Sequence, residues 1–579
     1  MQNHQAILRL RYVRCILVYD INAEADSIGL NSKGAGLRSF FLIGNPTNFN
    51  GCLQSDSLLP QIELALDTQA ILESSGFWLP LAQFIPQLPS LSDLHFLLPT
   101  QFPKLLLDQI HKIRPDCRLH IDRFFLLNLV TPSTDSYEFL LASSPCLFSL
   151  KTIHEGDDNP NIDIASSCYH EDALACMTSG LAPNLKKVSL VYPVPGTSPV
   201  YYTPPPWKGF GQRVRENPKK SLGNLRFLRF KHWWRITEDR MDYWNVHTDF
   251  KKLQSLEFDA YLTSDVLRHL ATKFQLPCLE TLVLSKLRKE RDDSDDHAEA
   301  ANKLLRSLPP LLSLTLDGWY PEISMDALAT FHGSRLLELK LLNYPGEDLT
   351  QNDLEALGRH CLYLREFTLS LRRSQGHSTE GNLYKALGAL PRLQSISLDL
   401  HIAKTFSPMD NDEDADGNLF NPSFDDEFDR GIPSELLGDG PDSSEACNGA
   451  MRERLINGAF DGILARSIFE IISSGKPQIS LPLEELNVKI TDAGNFGMVS
   501  CPTHFLSVLF HLCRPWRITR GIRDDCRHEI QVEVTEPVPS QLQPPPKALA
   551  GYLKAIWRRV WPEKVSEDWR FDWHSFPIS

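Results

Sequence analysis

The sequence predicts an α/β leucine-rich-repeat solenoid, a curved array of strand–helix units with irregular repeats and a C-terminal cap. Three observations predict it. First, the pattern L-x-x-L-x-L recurs as Leu225-x-x-Leu228-x-Phe230, Leu253-x-x-Leu256-x-Phe258, Leu279-x-x-Leu282-x-Leu284, Leu311-x-x-Leu314-x-Leu316, Leu336-x-x-Leu339-x-Leu341, Leu364-x-x-Phe367-x-Leu369 and Leu393-x-x-Ile396-x-Leu398. Second, successive copies start 28, 26, 32, 25, 28 and 29 residues apart, close to the period of roughly 20–29 residues of leucine-rich repeats. Third, the stretches between copies carry apolar residues at i, i+3 and i+4, the helical period. A single unit of this kind cannot bury its apolar face alone, so only stacking makes a core.

Looser copies extend the array toward the N-terminus: Val13-x-x-Ile16-x-Val18, Leu91-x-x-Leu94-x-Phe96, Leu119-x-Ile121, Leu147-x-x-Leu150 and Leu185-x-x-Val188-x-Leu190. Helical patterns run from Asp265 to Lys273, Ala298 to Leu308, Met325 to His332, Asp353 to His360 and Asn382 to Leu390, often after a Ser, Thr or Asp suited to capping. A Pro-rich and then basic loop over 193–221 lengthens one repeat. Residues 404–447, with Asp410, Asp412, Glu413, Asp414, Asp416, Asp425, Asp426, Glu427 and Asp429, are too acidic and too poor in apolar clusters to fold alone, so a disordered insertion is expected there. A last copy, Leu483-x-x-Leu486-x-Val488, follows it. The expected division is an irregular N-terminal part at 1–90, repeats at 91–403, the insertion at 404–447, a last repeat at 448–500 and a capping segment at 501–579. The tail, with Trp557, Trp561, Trp569, Phe571, Trp573 and Phe576, has the aromatic area to cover the open end of a core.

Composition bounds the function. The chain has 73 acidic against 59 basic residues, a net charge of −14, with much of the excess in the insertion. Attraction to nucleic acid or to a membrane surface is therefore not expected. No stretch approaches the 18 or so apolar residues of a membrane span. Arg9, Arg11 and Arg14 interrupt any signal-peptide core, and twelve cysteines lack C-x-x-C pairing, so a cytoplasmic or nuclear location is expected.

Chemistry motifs are absent. There is no phosphate-binding loop, dinucleotide fingerprint, nucleophile elbow or H-E-x-x-H helix, so no enzyme, no cofactor and no metal site are expected. Asp412-x-Asp414-x-Asp416-Gly417 is the front half of a calcium loop, but position 12 is Ser423 where a bidentate Glu is needed. Cys501, His504, His511 and Cys513 could suit zinc, yet they flank the apolar run Phe505 to Phe510 and read as buried thiols and a satisfied histidine. Arg514, Arg517, Arg520, Arg523 and Arg527 read as a solvated face.

The strand faces carry a stronger signal. Strand side chains alternate, so the residues between the motif leucines point to the concave surface. In the repeats from 116 to 232 those positions hold Arg118, His120, Lys151, Lys186, Lys187, Arg226, Arg229 and Lys231, with His154 and His232 beside them and Asp122 as the acidic exception. Later repeats present Glu257, Asp259, Glu280, Glu338 and Glu366. A basic strip on a net-acidic protein points to a protein partner with an acidic or phosphorylated segment.

The segment from Leu349 through Cys361 to Leu369 resembles the cysteine-containing leucine-rich repeat of F-box proteins, where helix leucines, a Cys before the turn and strand leucines all face the core. The irregular array, the acidic insertion and the ending Trp573-His-Ser-Phe576-Pro resemble fungal F-box/leucine-rich-repeat proteins. The resemblance implies a substrate-recognition component of a cullin-type ubiquitin ligase, with ligase subunits as further partners. An F-box, about 40 residues of helix, is not found before the Val13 strand. The alternative is a repeat adaptor or scaffold with no ligase link.

Overall fold

The computed structural model describes residues 15–20, 39–44, 75–98, 100–131, 133, 136–153, 169–191, 206–210, 222–287, 296–319, 322–343, 349–402, 448–491, 495–496, 499–500, 508–509, 511–521, 529–535 and 547–578. The acidic insertion, the calcium-like run, the loop over 193–205 and 211–221, His154, Cys501, His504, Arg523 and Arg527 lie outside them. The chain divides into two compact units, Met1–Thr281 and Leu282–Ser579.

In the first unit, strands β1 (Cys15–Asp20), β2 (Ser39–Gly44), β3 (Asp93–Phe96), β4 (Arg118–Ile121), β5 (Leu147–Ile153), β6 (Lys187–Val191), β7 (Phe227–Ile236) and β8 (Ser255–Leu262) line up in the order β2-β1-β3-β4-β5-β6-β7-β8. All pairs from β1–β3 onward are parallel, and only β2 runs antiparallel, against β1. Helices α1 (Ser75–Phe84), α2 (Lys104–Ile113), α3 (Tyr137–Ala142), α4 (His170–Cys176), α5 (Glu238–His247) and α6 (Ser264–Lys273) alternate with the strands.

In the second unit, β9 (Thr281–Ser285), β10 (Ser313–Trp319), β11 (Glu338–Asn343), β12 (Glu366–Arg372), β13 (Ser395–His401) and β14 (Glu485–Thr491) are neighbours in sequence order. A short antiparallel pair, β15 (Asn495–Phe496) with β16 (Val499–Ser500), follows. Then β17 (Trp516–Arg520) pairs antiparallel with β14, and β18 (Ile530–Val534) pairs antiparallel with β17 at the edge of the sheet. The helices are α7 (His297–Ser307), α8 (Met325–His332), α9 (Gln351–His360), α10 (Ser378–Gly388), α11 (Asn448–Gly458), α12 (Gly462–Ser474) and α13 (Lys547–Val560).

The motif sets the register. Leu339, Phe367, Ile396 and Leu486 stand opposite one another on successive strands, as do Leu341, Leu369, Leu398 and Val488, and all are buried. Each fully buried Leu or Phe contributes about 1.5–3 kcal/mol, so the ladder of motif residues is the main stabilising feature of each repeat. The backbone repeats the pattern: the Leu337 carbonyl accepts from both Arg365 and Glu366 N–H, at 2.8 and 3.1 Å, and that of Arg226 accepts from Gln254 and Ser255, at 2.8 and 2.9 Å. One carbonyl thus binds each turn to its neighbour. In the Cys-type repeat, Leu354, Leu357, Cys361, Leu364, Phe367 and Leu369 are all buried, and burial pushes the Cys361 thiol up to about 12, so it stays protonated and acts as a small apolar group.

Helix starts follow the local sequence. Thr263, Ser324 and Asp461 accept from the N–H of Val266, Ala327 and Leu464, and Thr350 with Asp353 forms a reciprocal capping box. The run 514–520 departs from the solvated face read in the sequence. Its Trp-Arg-Ile-Thr-Arg alternation has the strand period, Ile518 is buried, Arg517 pairs with Glu485 at 2.8 Å and Arg520 lies over the Phe469 ring.

The aromatic tail packs within the second unit. Trp557 and Trp561 on α13 join Leu455 and Ala459 on α11 with Val508, Leu509 and Leu512 in one buried cluster, against which Trp569, Trp573 and Phe576 lie. The indole N–H groups of Trp557 and Trp561 donate to the carbonyls of Asp572 and His574, each at 3.0 Å. Gly376, at φ +77°, lets the backbone of Pro577 approach where a Cβ would collide.

Candidate interaction face

The outward positions of β3 to β8 bring the basic residues together in rows. The register aligns His95 with His120, His120 with Ser149, Ser149 with Lys187, and Lys187 with Phe227. A second row runs Lys151, Ser189, Arg229 and Glu257, and a third Val191, Lys231 and Asp259. Lys186 and Arg226 precede β6 and β7 by one residue and occupy the same motif position in successive repeats.

The eight residues read from the sequence divide into two kinds. Three are joined to carboxylates of the same unit: Arg118 to Asp93 at 2.7 Å, Lys151 to Asp122 at 3.4 Å and Arg229 to Glu257 at 3.3 Å. Nε2–H of His120 donates to the Asp93 carboxylate at 3.0 Å. Lys186, Lys187 and Arg226 find no carboxylate among the described residues. Burial, together with the nearby Arg226 and Lys252 charges, lowers the Lys186 ammonium below its ordinary value, which marks a local excess of positive charge. Lys252 is itself offset by Asp249 at 3.7 Å. Lys231 stands opposite Asp259 in register, while the His154 and His232 side chains lie outside what is described.

The second unit presents the opposite sign. Glu338, Glu366, Ser395 and Glu485 form one outward row. Burial, with Glu338 and Glu485 beside it, raises the Glu366 carboxyl. Arg517 relieves the row at one end, and Ser313 donates to Glu338 at 2.9 Å.

One grouping escapes the sequence reading. Asp93, His95 and His120 each offer a ligand atom, all within 4.8 Å of one another. The two imidazoles stack at 4.1 Å between centroids and 7° between planes. Asp93 is buried, and its second oxygen accepts from Arg118 and Ser92, each at 2.7 Å. Burial opposes ionisation of Asp93, but the His120, Arg118 and Ser92 hydrogen bonds overcome it and hold the carboxyl far below its ordinary value. Burial and the neighbouring His120 lower His95 to about 4. The signal was available: Asp93-Leu-His95 places two polar groups on the outward face of one strand, and His120 falls between core residues at the matching position of the next.

Among the described residues, surface dents lie on α7 and toward α8, around Glu299, Asn302, Arg306 and Glu322. His332 beside them is buried and bonded to the Leu305 carbonyl at 3.0 Å.

Parallel strands in motif register, helices between most successive strands and leucines stacked across them define a leucine-rich-repeat α/β fold. No family model matches the chain, and no curated protein matches it. Among solved structures, the chain is similar to the crystal structure of the leucine-rich repeat-containing protein LegL7 from Legionella pneumophila, at 15% identity and a TM-score of 0.26, over 56% of this chain and 87% of that one. The fold assignment rests on the register and packing above, not on that likeness. No helix among the described residues is long and apolar enough to cross a membrane.

Proposed function

We propose that the chain is a non-enzymatic protein-interaction array whose partner presents an acidic or phosphorylated segment to the outward face of β4 to β7. The observation that carries this reading is the cluster of Lys186, Lys187 and Arg226, cations without a carboxylate among the described residues, beside others already neutralised within the sheet. Such charge is what an anionic segment meets without first breaking an internal pair. The parent role is substrate recognition for a cullin-type ubiquitin ligase. It is supported by the likeness of the Cys361 repeat to the repeats of F-box proteins.

Affinity purification from cells tests both parts. The reading expects the cullin, its adaptor subunit and a third, acidic protein to co-purify, and the third protein to be lost from a Lys187→Glu/Arg226→Glu variant. An acidic partner without ligase subunits would leave an adaptor or scaffold. A partner retained by the variant would remove the site.

A further inference from the structure

We infer that Asp93, His95 and His120 form a binding site for a zinc-class divalent cation, with the remaining coordination position filled by solvent. Two imidazole nitrogens and one carboxylate oxygen are the donor set of zinc and its neighbours. Calcium and magnesium would take shells of oxygen.

The groups are held in a manner suited to such an ion. Asp93 and His95 stand two residues apart on β3, on one face, and His120 is the register partner of His95 on β4. The carboxylate is divided in function. Oδ1 faces Nε2 of His120 at 3.0 Å, while Oδ2 is occupied by Arg118 and Ser92, each at 2.7 Å. Ligating carboxylates are commonly anchored through their other oxygen in this way. A tetrahedral ion with bonds of about 2.0–2.1 Å places its ligand atoms roughly 3.3 Å apart. The ion would thus replace the Asp93–His120 hydrogen bond with little movement.

His95 requires more. Its ring lies parallel to that of His120, so it must turn about Cβ–Cγ until a nitrogen faces Asp93.

The test uses the full chain, freed of metal with a chelator and titrated with zinc chloride by calorimetry, then with cobalt(II) by visible absorption. The expected result is that wild-type protein binds one more equivalent of zinc than His95→Ala/His120→Ala. Asp93→Asn should weaken that equivalent by more than about tenfold. The control His269→Ala, at a histidine paired with Asp242 in α5, should leave the equivalent unchanged. Melting curves of each apo variant establish folding, and His120→Gln replaces the double variant if that one does not fold. Equal stoichiometry and affinity in wild type and the double variant would overturn the inference. So would a cobalt spectrum dominated by thiolate charge transfer, since it would place the ion on cysteines.

Discussion

The outward faces of β4 to β7 and of β11 to β14 are built on the same core code and carry opposite charges. Ile121, Leu150, Val188 and Leu228 stack under the first, Leu339, Phe367, Ile396 and Leu486 under the second, and all are buried. Above them stand Lys187 and its neighbours in one case, and Glu338, Glu366 and Glu485 in the other. In this fold the motif leucines fix the ladder while the intervening positions are free to vary in sign. Function is therefore to be sought in the intervening positions and stability in the leucines.

The largest expected effect tests the second half of that statement. Leu228→Ala in the first unit and Phe367→Ala in the second should each cost about 2–5 kcal/mol through lost burial and a cavity, read as a shift of the urea midpoint. Because neighbouring repeats support one another, hydrogen exchange should rise in the adjoining strands as well as in the mutated one. Exchange confined to the mutated repeat would break the comparison.

A buried pair distinguishes the units next. Arg373 and Glu380 meet at 2.5 Å and are 0% and 2% exposed. Tyr384 donates to the same carboxylate at 2.9 Å, and Asn457 on α11 holds the adjoining turn through Gln375 at 2.9 Å. Glu380→Ala leaves a buried guanidinium unpaired and should cost roughly 3–5 kcal/mol. Replacing both partners, as Arg373→Met/Glu380→Leu, should recover much of that loss. Denaturant titration of the single and double variants measures the difference.

Acid should weaken the two units in different ranges. The folded first unit resists protonating His95, held at about 4 by burial and by His120. Its contribution is whole above about pH 6.5, falls as the pH drops and levels off near 4. In the second unit, burial raises the Asp572 carboxyl, but donors including Arg558, Ser566 and Val565 prevail and hold it at about 2. That contribution persists above 3.8 and is lost toward 2. Melting temperature followed against pH should show both ranges, with His95→Phe flattening the upper one and Asp572→Asn the lower. The smallest effect is expected at Glu366. Its carboxyl is raised by burial and by like charges, so Glu366→Gln should stabilise at neutral pH by up to ~0.5 kcal/mol.

Much of the fold was legible because the repeat is a periodic burial signal. The helical patterns from Asp265 and Met325 match helices Ser264–Lys273 and Met325–His332 almost residue for residue. The antiparallel strands β2, β17 and β18 were not legible, since they carry no motif. Trp516–Arg520 was hidden inside a run that draws the eye by its arginines. For the site, sign and face could be read, but pairing could not. Which cations meet a carboxylate depends on cross-strand register: Arg229 and Arg226 are alike in sequence, but only Arg229 has Glu257 beside it. Reversing Arg226 therefore probes the face more cleanly than reversing Arg229, which would set a new carboxylate against Glu257.

The most direct measurement is the fluorescence anisotropy of a labelled peptide of alternating glutamate and phosphoserine, titrated with the full chain at increasing salt. Binding should weaken past ~0.15 M salt, where the Debye length falls below about 8 Å. Lys187→Glu/Arg226→Glu should lose at least tenfold in affinity, while Glu338→Lys/Glu366→Lys should not. Equal binding by the first variant, or affinity indifferent to salt, would contradict the basic face as the binding site.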